Sequence, residues 1–272
     1  MLRSKLSQLR EYITPVSNES QYLSNGTITP NEFVLAGNYL QDKFITWSWN
    51  SDDSEINQSS LKLRSFLPKE KQFLVTRKIL CDKRCDDIRE HHEDERFDTD
   101  NNVWVVDNVN DADNKKTSSM GNEYGFEEDL ALEENERQSD AESIVILNED
   151  NKRYYDLYIL YSTSYRVPKL YLVGYNYDGQ PLTPKEMLED VSEEYRKKTA
   201  TIEDLPVFKN KVPSISIHPC KHGDVMKLLM TKMQQNEDED SKLTVDSYLI
   251  IFLKFINSVV PTMEYDFTMD GG

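Results

Sequence analysis

Apolar residues recur at helical spacing at both ends of the chain, alternate with polar ones in its middle, and follow neither pattern over a long stretch in between. The first thirteen residues place Leu2, Leu6, Leu9 and Ile13 at steps of four, three and four. At about 100° per residue these fall within roughly 60° of arc, flanked by Arg3, Lys5 and Arg10, which predicts an amphipathic helix with a basic border. Thr14-Pro15 stops it, because the residue before proline is pushed out of the helical region. Thr29-Pro30-Asn31-Glu32 combines a threonine cap, a proline at the first helical position and a glutamate three residues on. That capping box starts a helix through Phe33, Leu35, Ala36, Tyr39 and Leu40. Ile45 to Trp49 and Gln72 to Ile79 are rich in β-branched and aromatic residues and read as strands, with a polar loop from Asn50 to Ser60 between them.

After residue 150 the pattern sharpens. Tyr154 to Tyr161 and Lys169 to Tyr175 read as two strands, closed by a turn at Tyr177-Asp178-Gly179. Thr183-Pro184-Lys185-Glu186 repeats the capping box and predicts a helix carrying Met187, Leu188 and Val191. A loop at Lys209 to Pro213 leads to a short strand, Ile215 to Ile217, and then to His218-Pro219-Cys220. Val225 to Met233 has helical spacing. Val245 to Val260 does too, and is apolar nearly all round, which marks a buried helix.

Charge explains the patternless stretch. The 272-residue chain has 32 Lys+Arg against 49 Asp+Glu, a formal net charge of −17. Asp82 to Asp150 alone holds 23 acids and 7 bases, so the rest of the chain is close to neutral. Such a composition buries too little apolar surface to offset an ordering cost of about 1–2 kcal/mol per residue, and predicts an acidic flexible region over 82–150. Its apolar islands, such as Ser143 to Leu147, are where a partner would hold it. The remainder, 14–81 with 151–272, is long enough to bury a core without disulfides. No Lys/Arg stripe is present to neutralise phosphates, which argues against nucleic acid. The most apolar run, Tyr248 to Leu253, is far shorter than the roughly 20 residues that span a bilayer, so membrane contact is expected to be peripheral. Three cysteines in no disulfide spacing, and no secretory leader, point to a reducing compartment.

Two segments concentrate chemistry. In Ser216-Ile217-His218-Pro219-Cys220-Lys221-His222 a strand ends, proline fixes a turn, and a cysteine sits beside a helix N-terminus, a lysine and two histidines. Backbone N–H groups and positive charge favour the nucleophilic thiolate; a cysteine buried at a strand-to-helix corner is the alternative. Cys81-x-x-x-Cys85 with His91-His92 has ligand types for zinc but not the short regular spacing of structural zinc sites. The N-terminal helix likewise admits two readings, a core stripe or a membrane-surface helix with basic flanks.

The chain resembles the ubiquitin-conjugating-type enzymes of autophagy, which transfer a ubiquitin-like modifier onto phosphatidylethanolamine. The resemblance rests on MLRSKLSQLREYITPV, TPNEFVLAGNYL, FLPKEKQFLVTRKI, RYYDLYILYSTSYRVPKLYLVG, KTATIEDLP, VPSISIHPCKH and DSYLIIFLKFI, and covers nearly the whole chain. It implies an α/β (α+β) fold, an antiparallel sheet with flanking helices, carrying a long acidic flexible insertion. It makes Cys220 the thioester-bearing residue with His218 beside it. The His-Pro-Asn motif of ordinary ubiquitin-conjugating enzymes is missing, and the resemblance puts Thr199 of Lys-Thr-Ala-Thr in the role of its asparagine. It makes residues 1–13, with Leu2, Arg3, Lys5, Leu6, Leu9 and Arg10, a curvature-sensitive membrane helix, and the acidic region a contact for the activating enzyme. The implied partners are that enzyme, the modifier and phosphatidylethanolamine membranes; the implied place is the cytoplasm, peripherally on forming autophagosomal membranes. No cofactor and no metal is required, since the thioester stores the activation. One departure stands out: members in yeasts carry a Trp-x-x-Leu motif on a helical arm, whereas Gln234 to Lys242 is a short acidic bridge without it. A noncatalytic membrane-tethered adaptor is the competing function, and replacement of Cys220 separates the two.

Overall fold

In the computed structural model, residues 10, 11, 13–86, 152–236 and 243–265 are described. The order of elements is α1 (Tyr22–Asn25), α2 (Pro30–Lys43), β1 (Ser48–Trp49), β2 (Phe73–Cys81), β3 (Arg153–Ser162), β4 (Val167–Asn176), α3 (Pro184–Glu189), α4 (Glu193–Lys198), β5 (Ala200–Asp204), β6 (Pro213–Ile217), α5 (His222–Asn236) and α6 (Tyr248–Val259). The strands form one antiparallel sheet in the order β1-β2-β3-β4-β6-β5. The expected α+β class is therefore the one observed. The helix expected at residues 1–13 and the insertion at 82–150 fall mostly on residues outside those described.

Both capping boxes are made: the Thr29 and Thr183 hydroxyls accept from the N–H of Glu32 and Glu186, whose carboxylates accept from the threonine N–H groups at 2.7 Å. These reciprocal bonds satisfy orphan donors of the first turn. Each strand's alternation sends one set of side chains to each face. Tyr155, Leu157, Ile159, Leu170, Leu172, Ile215 and Ile217 meet α2, α5 and α6 in the main core. Nine of the twelve residues of α6 are buried, which is why its sequence is apolar all round. The opposite face packs Phe73, Val75, Tyr158, Leu160 and Tyr171 under the loops holding Ile56, Leu61 and Val207. Among the described residues no α-helix joins that second cluster, so β3 and β4 are buried on both faces by two different means.

Three expectations are corrected and two elements are added. Tyr177-Asp178-Gly179 does end β4, with Gly179 at φ +75°, but it does not close the β3–β4 hairpin. That turn is Thr163–Arg166, where Arg166 takes φ +56° without being glycine. The left-handed conformation is held from outside: the Arg166 N–H donates to Ser162 O, its carbonyl accepts from Ile28 N–H, and its guanidinium reaches Ser17 and Gln21. The strand expected from Ile45 is only Ser48–Trp49, and Ile45 itself is 96% exposed. α4 and β5 were not legible because Glu193–Lys198 buries a single residue, Tyr195, and β5 is a short edge strand. Residues 82–86, acidic in sequence, pack on the folded part: Cys85 is buried and Arg84 Nη1 lies 3.1 Å from the buried Asp190.

Candidate functional site

The strand β6 ends at Ile217, and His218 N–H donates to Thr199 O at 2.9 Å, tying the end of β6 to the start of β5. Proline at 219 and the helix-starting geometry beyond it wind Pro219–Lys221 into one turn of 3-10 helix, which runs directly into α5. Pro219 points inward and is buried, so Cys220 on the same turn is exposed. The corner reading of Cys220 as a buried structural thiol is thereby excluded. Burial treats the other two cysteines oppositely: it raises the thiols of Cys81 and Cys85 to about 12 and about 11, despite Arg84 near Cys81. Cys81 Sγ lies 3.3 Å from Thr262 Oγ1. Among the described residues no group of three His, Cys, Asp or Glu is placed to hold a metal; His91 and His92 lie outside them.

His218 caps the turn. Its Nδ1 accepts the Cys220 backbone N–H at 3.3 Å, so the ring proton sits on Nε2, which faces the Tyr165 hydroxyl at 3.4 Å. The two rings meet edge to face at 5.3 Å. Partial burial, together with the positive charges of Lys169 and Arg10, lowers the His218 pKa. The ring is therefore neutral near pH 7, and both nitrogens serve the shape of the turn rather than the sulfur. Thr199 is buried, and its hydroxyl donates to Tyr195 O at 3.4 Å, back into α4. A void of about 10 Å³ lies between Tyr195, Thr199, His218, Lys221, His222 and Phe255. His218 thus links the other two: its ring accepts from Cys220 N–H and its own N–H donates to Thr199 O.

The membrane residues Leu2, Arg3, Lys5, Leu6 and Leu9 lie outside the described residues. Arg10 is exposed and stands over the Tyr165 ring at 5.1 Å. Residues 10, 11 and 13 are helical and the helix ends before Thr14-Pro15, as the proline requires. Ile13, the last residue of the apolar stripe, is 71% exposed and so does not enter the core. Sequence reading missed Glu11, which docks this segment on the β3–β4 turn by accepting from Ser162 Oγ, Thr163 N–H and Ser164 Oγ. It also missed Tyr165, whose place beside His218 follows from the hairpin register and not from any local motif.

The family profile described as "Autophagocytosis associated protein, active-site domain" matches residues 32–267, which contain every element from β1 to α6 and the Cys220 turn. The chain belongs to the autophagy-related protein 3 family. Relatives of that name are 42% identical over 314 residues in Saccharomyces cerevisiae (strain S288c), 45% over 321 in Candida glabrata and 42% over 307 in Kluyveromyces lactis, each with 100% of both chains covered. As a member of the autophagy-related protein 3 family the chain is a conjugating enzyme of autophagy, an acyltransferase of ubiquitin-conjugating type, and the adaptor reading is set aside. These alignments run over more positions than the 272 residues of the chain, so autophagy-related protein 3 relatives carry insertions relative to it. The short bridge at 234–242 falls largely outside the described residues.

Proposed function

We propose that Cys220 carries a ubiquitin-like autophagy modifier as a thioester and passes it to the amine of phosphatidylethanolamine. The observation that carries this is the exposure of Cys220 on a capped strand-to-helix turn while Cys81 and Cys85 are buried. The enzyme works with an activating enzyme that supplies the modifier. In loading, the Cys220 thiolate attacks the activating enzyme's thioester; a new S–C bond forms and the donor cysteine leaves as thiolate. In transfer, the unprotonated lipid amine attacks the carbonyl, an amide N–C bond forms, the Cys220 S–C bond breaks, and the nitrogen gives up a proton. Cys220 is the catalytic residue. His218 positions it by capping its N–H, and Thr199 is assigned the support of the carbonyl in transfer, a role supported by the bond from His218 N–H to its carbonyl oxygen.

The lipid is brought by residues 1–13. Four apolar side chains on one stripe with three basic neighbours suit a bilayer surface, each cation adding about 1 kcal/mol near anionic headgroups. The exposure of Ile13 and Arg10 supports that role. Among the described residues no helix is long and apolar enough to cross a membrane. We place the enzyme in the cytoplasm, peripherally on autophagosomal membranes, with the acidic region 82–150 contacting the activating enzyme.

Incubation with activating enzyme, modifier and ATP tests the reading. A larger, thiol-sensitive band that needs Cys220 is expected, followed by transfer to phosphatidylethanolamine liposomes; loading on Cys81 or Cys85 would overturn it. Thr199→Val should load normally and discharge about ten- to a hundredfold more slowly.

A further inference from the structure

His222, the first residue of α5, has a ring that the mechanism above leaves unused. It is 2% exposed, edge-on to Phe255 at 5.1 Å and tilted against Phe252 at 5.6 Å, so it cannot turn toward water. Its Nδ1 lies 3.0 Å from Pro168 O. A carbonyl only accepts, so Nδ1 bears a proton. Burial, with Lys169 and His218 also nearby, lowers the ring's pKa to about 4, and that proton is then its only one at neutral pH. Nε2 is left a bare lone pair, buried and without a hydrogen-bond partner. Buried polar atoms are nearly always paired, and an acceptor kept dry without a donor loses its hydration for nothing in return.

A residue able to donate lines the same small space. Thr199 borders the same void of about 10 Å³, and its hydroxyl donates to Tyr195 O across 3.4 Å, a long O–H···O bond. One small space is thus lined by a threonine whose hydroxyl has a poor acceptor and by a histidine whose Nε2 has no donor. Threonine's staggered rotamers allow the hydroxyl to leave one neighbour for another. The bond given up is long and therefore weak.

We propose that His222 Nε2 is the second acceptor of the Thr199 hydroxyl, and that this bond holds the threonine in the orientation used for transfer from Cys220. His222 is then a positioning residue, acting through Thr199. The Nδ1–H bond to Pro168 fixes the tautomer that makes it an acceptor, so β4, α5 and the β5 start are joined in one relay of orientation. The inference rests on the assignment of Thr199 to the transfer step.

Nitrogen NMR of the full, unmodified chain gives the first test, since it needs no variant to fold. The His222 ring should show a protonated Nδ1 and a bare Nε2 at neutral pH; a proton on Nε2 overturns the proposal. The second test is single-turnover discharge of preformed thioester onto phosphatidylethanolamine liposomes, with loading followed separately. His222→Asn keeps a donor toward Pro168 O and removes the Nε2 acceptor. It should load normally and discharge about tenfold more slowly, the worth of one lost hydrogen bond. In a Thr199→Val background the same change should slow discharge no further; independent slowing of the double variant overturns the proposal. Normal discharge by His222→Asn with slow Thr199→Val removes this inference and leaves the Thr199 reading standing. Normal discharge by Thr199→Val removes that reading itself.

Discussion

The two ends of the sheet each hold a cysteine beside arginine or lysine, and solvent makes them chemically opposite. At one end Cys220 rides an exposed 3-10 turn, its N–H capped by His218 and Lys221 next in sequence. At the other, Cys81 is fully buried with Arg84 Nη1 3.6 Å from its sulfur, yet its thiol is raised to about 12. Burial is the largest cause and the neighbouring Asp190 adds to it, so one guanidinium does not rescue the thiolate. A nearby cation is therefore a weak indicator of a reactive cysteine, and access to water is the stronger one.

The largest effect expected from this contrast is on Cys220. Cys220→Ser should trap the modifier as a stable ester and abolish lipid transfer, because an alkoxide leaves poorly; Cys81→Ser and Cys85→Ser should load within about twofold of the parent on a non-reducing gel. Loss of loading in either of the latter two, with the fold intact, would break the comparison. Next in size is alkylation in the native state. A thiol near pKa 12 or 11 holds a thiolate fraction on the order of 10⁻⁴ or less at pH 7, so mass spectrometry should find Cys220 labelled first and the other two only on unfolding.

The third effect belongs to the buried end alone. Asp190 is completely buried, with Arg84 at 3.1 Å, Arg153 at 2.9 Å and the Tyr155 hydroxyl donating to it. Asp190→Ala removes the buried carboxylate that Arg84 and Arg153 share, leaving Arg153 its pair with Glu189, and should lower stability by about 3 kcal/mol in denaturant titration, while the folded fraction still loads Cys220. The smallest effect tests Glu11. Burial would raise its carboxyl, but hydrogen bonds from Ser162, Ser164 and Thr163 outweigh that and hold its pKa below the usual 4.5. A carboxyl lowered in the fold stabilises at pH above its unfolded value and loses that contribution as pH falls through the folded one. Glu11→Gln should loosen residues 10–14 by about 1 kcal/mol at neutral pH, seen as faster exchange of the Thr163 amide, and the difference should vanish in acid.

Legibility in the sequence followed locality. The capping boxes at Thr29 and Thr183, the buried helix α6 and the Cys220 turn each depend on a few consecutive residues, and each was read correctly in kind. What escaped depends on partners far along the chain. Arg166 closes a hairpin without glycine because Ile28, Ser17 and Gln21 hold it. Glu11 reads as one more polar position on a helix until Ser162–Ser164 meet it. His222 reads as a neighbour of the nucleophile, and only the packing of Phe252, Phe255 and Pro168 around it shows which nitrogen is bare.

Cys81 pairs with Arg153 across β2 and β3, and just beyond them Arg84 and Arg153 grip the same carboxylate of Asp190. The described chain on either side of residues 87–151 is thus held at one place, where two arginines meet a single carboxylate. A segment closed at one fixed point burdens its host mainly through loop closure, which for a flexible chain grows by only about 0.6 kcal/mol per doubling of length. A change in the length of the chain that joins these two fixed ends should therefore cost the catalytic sheet little.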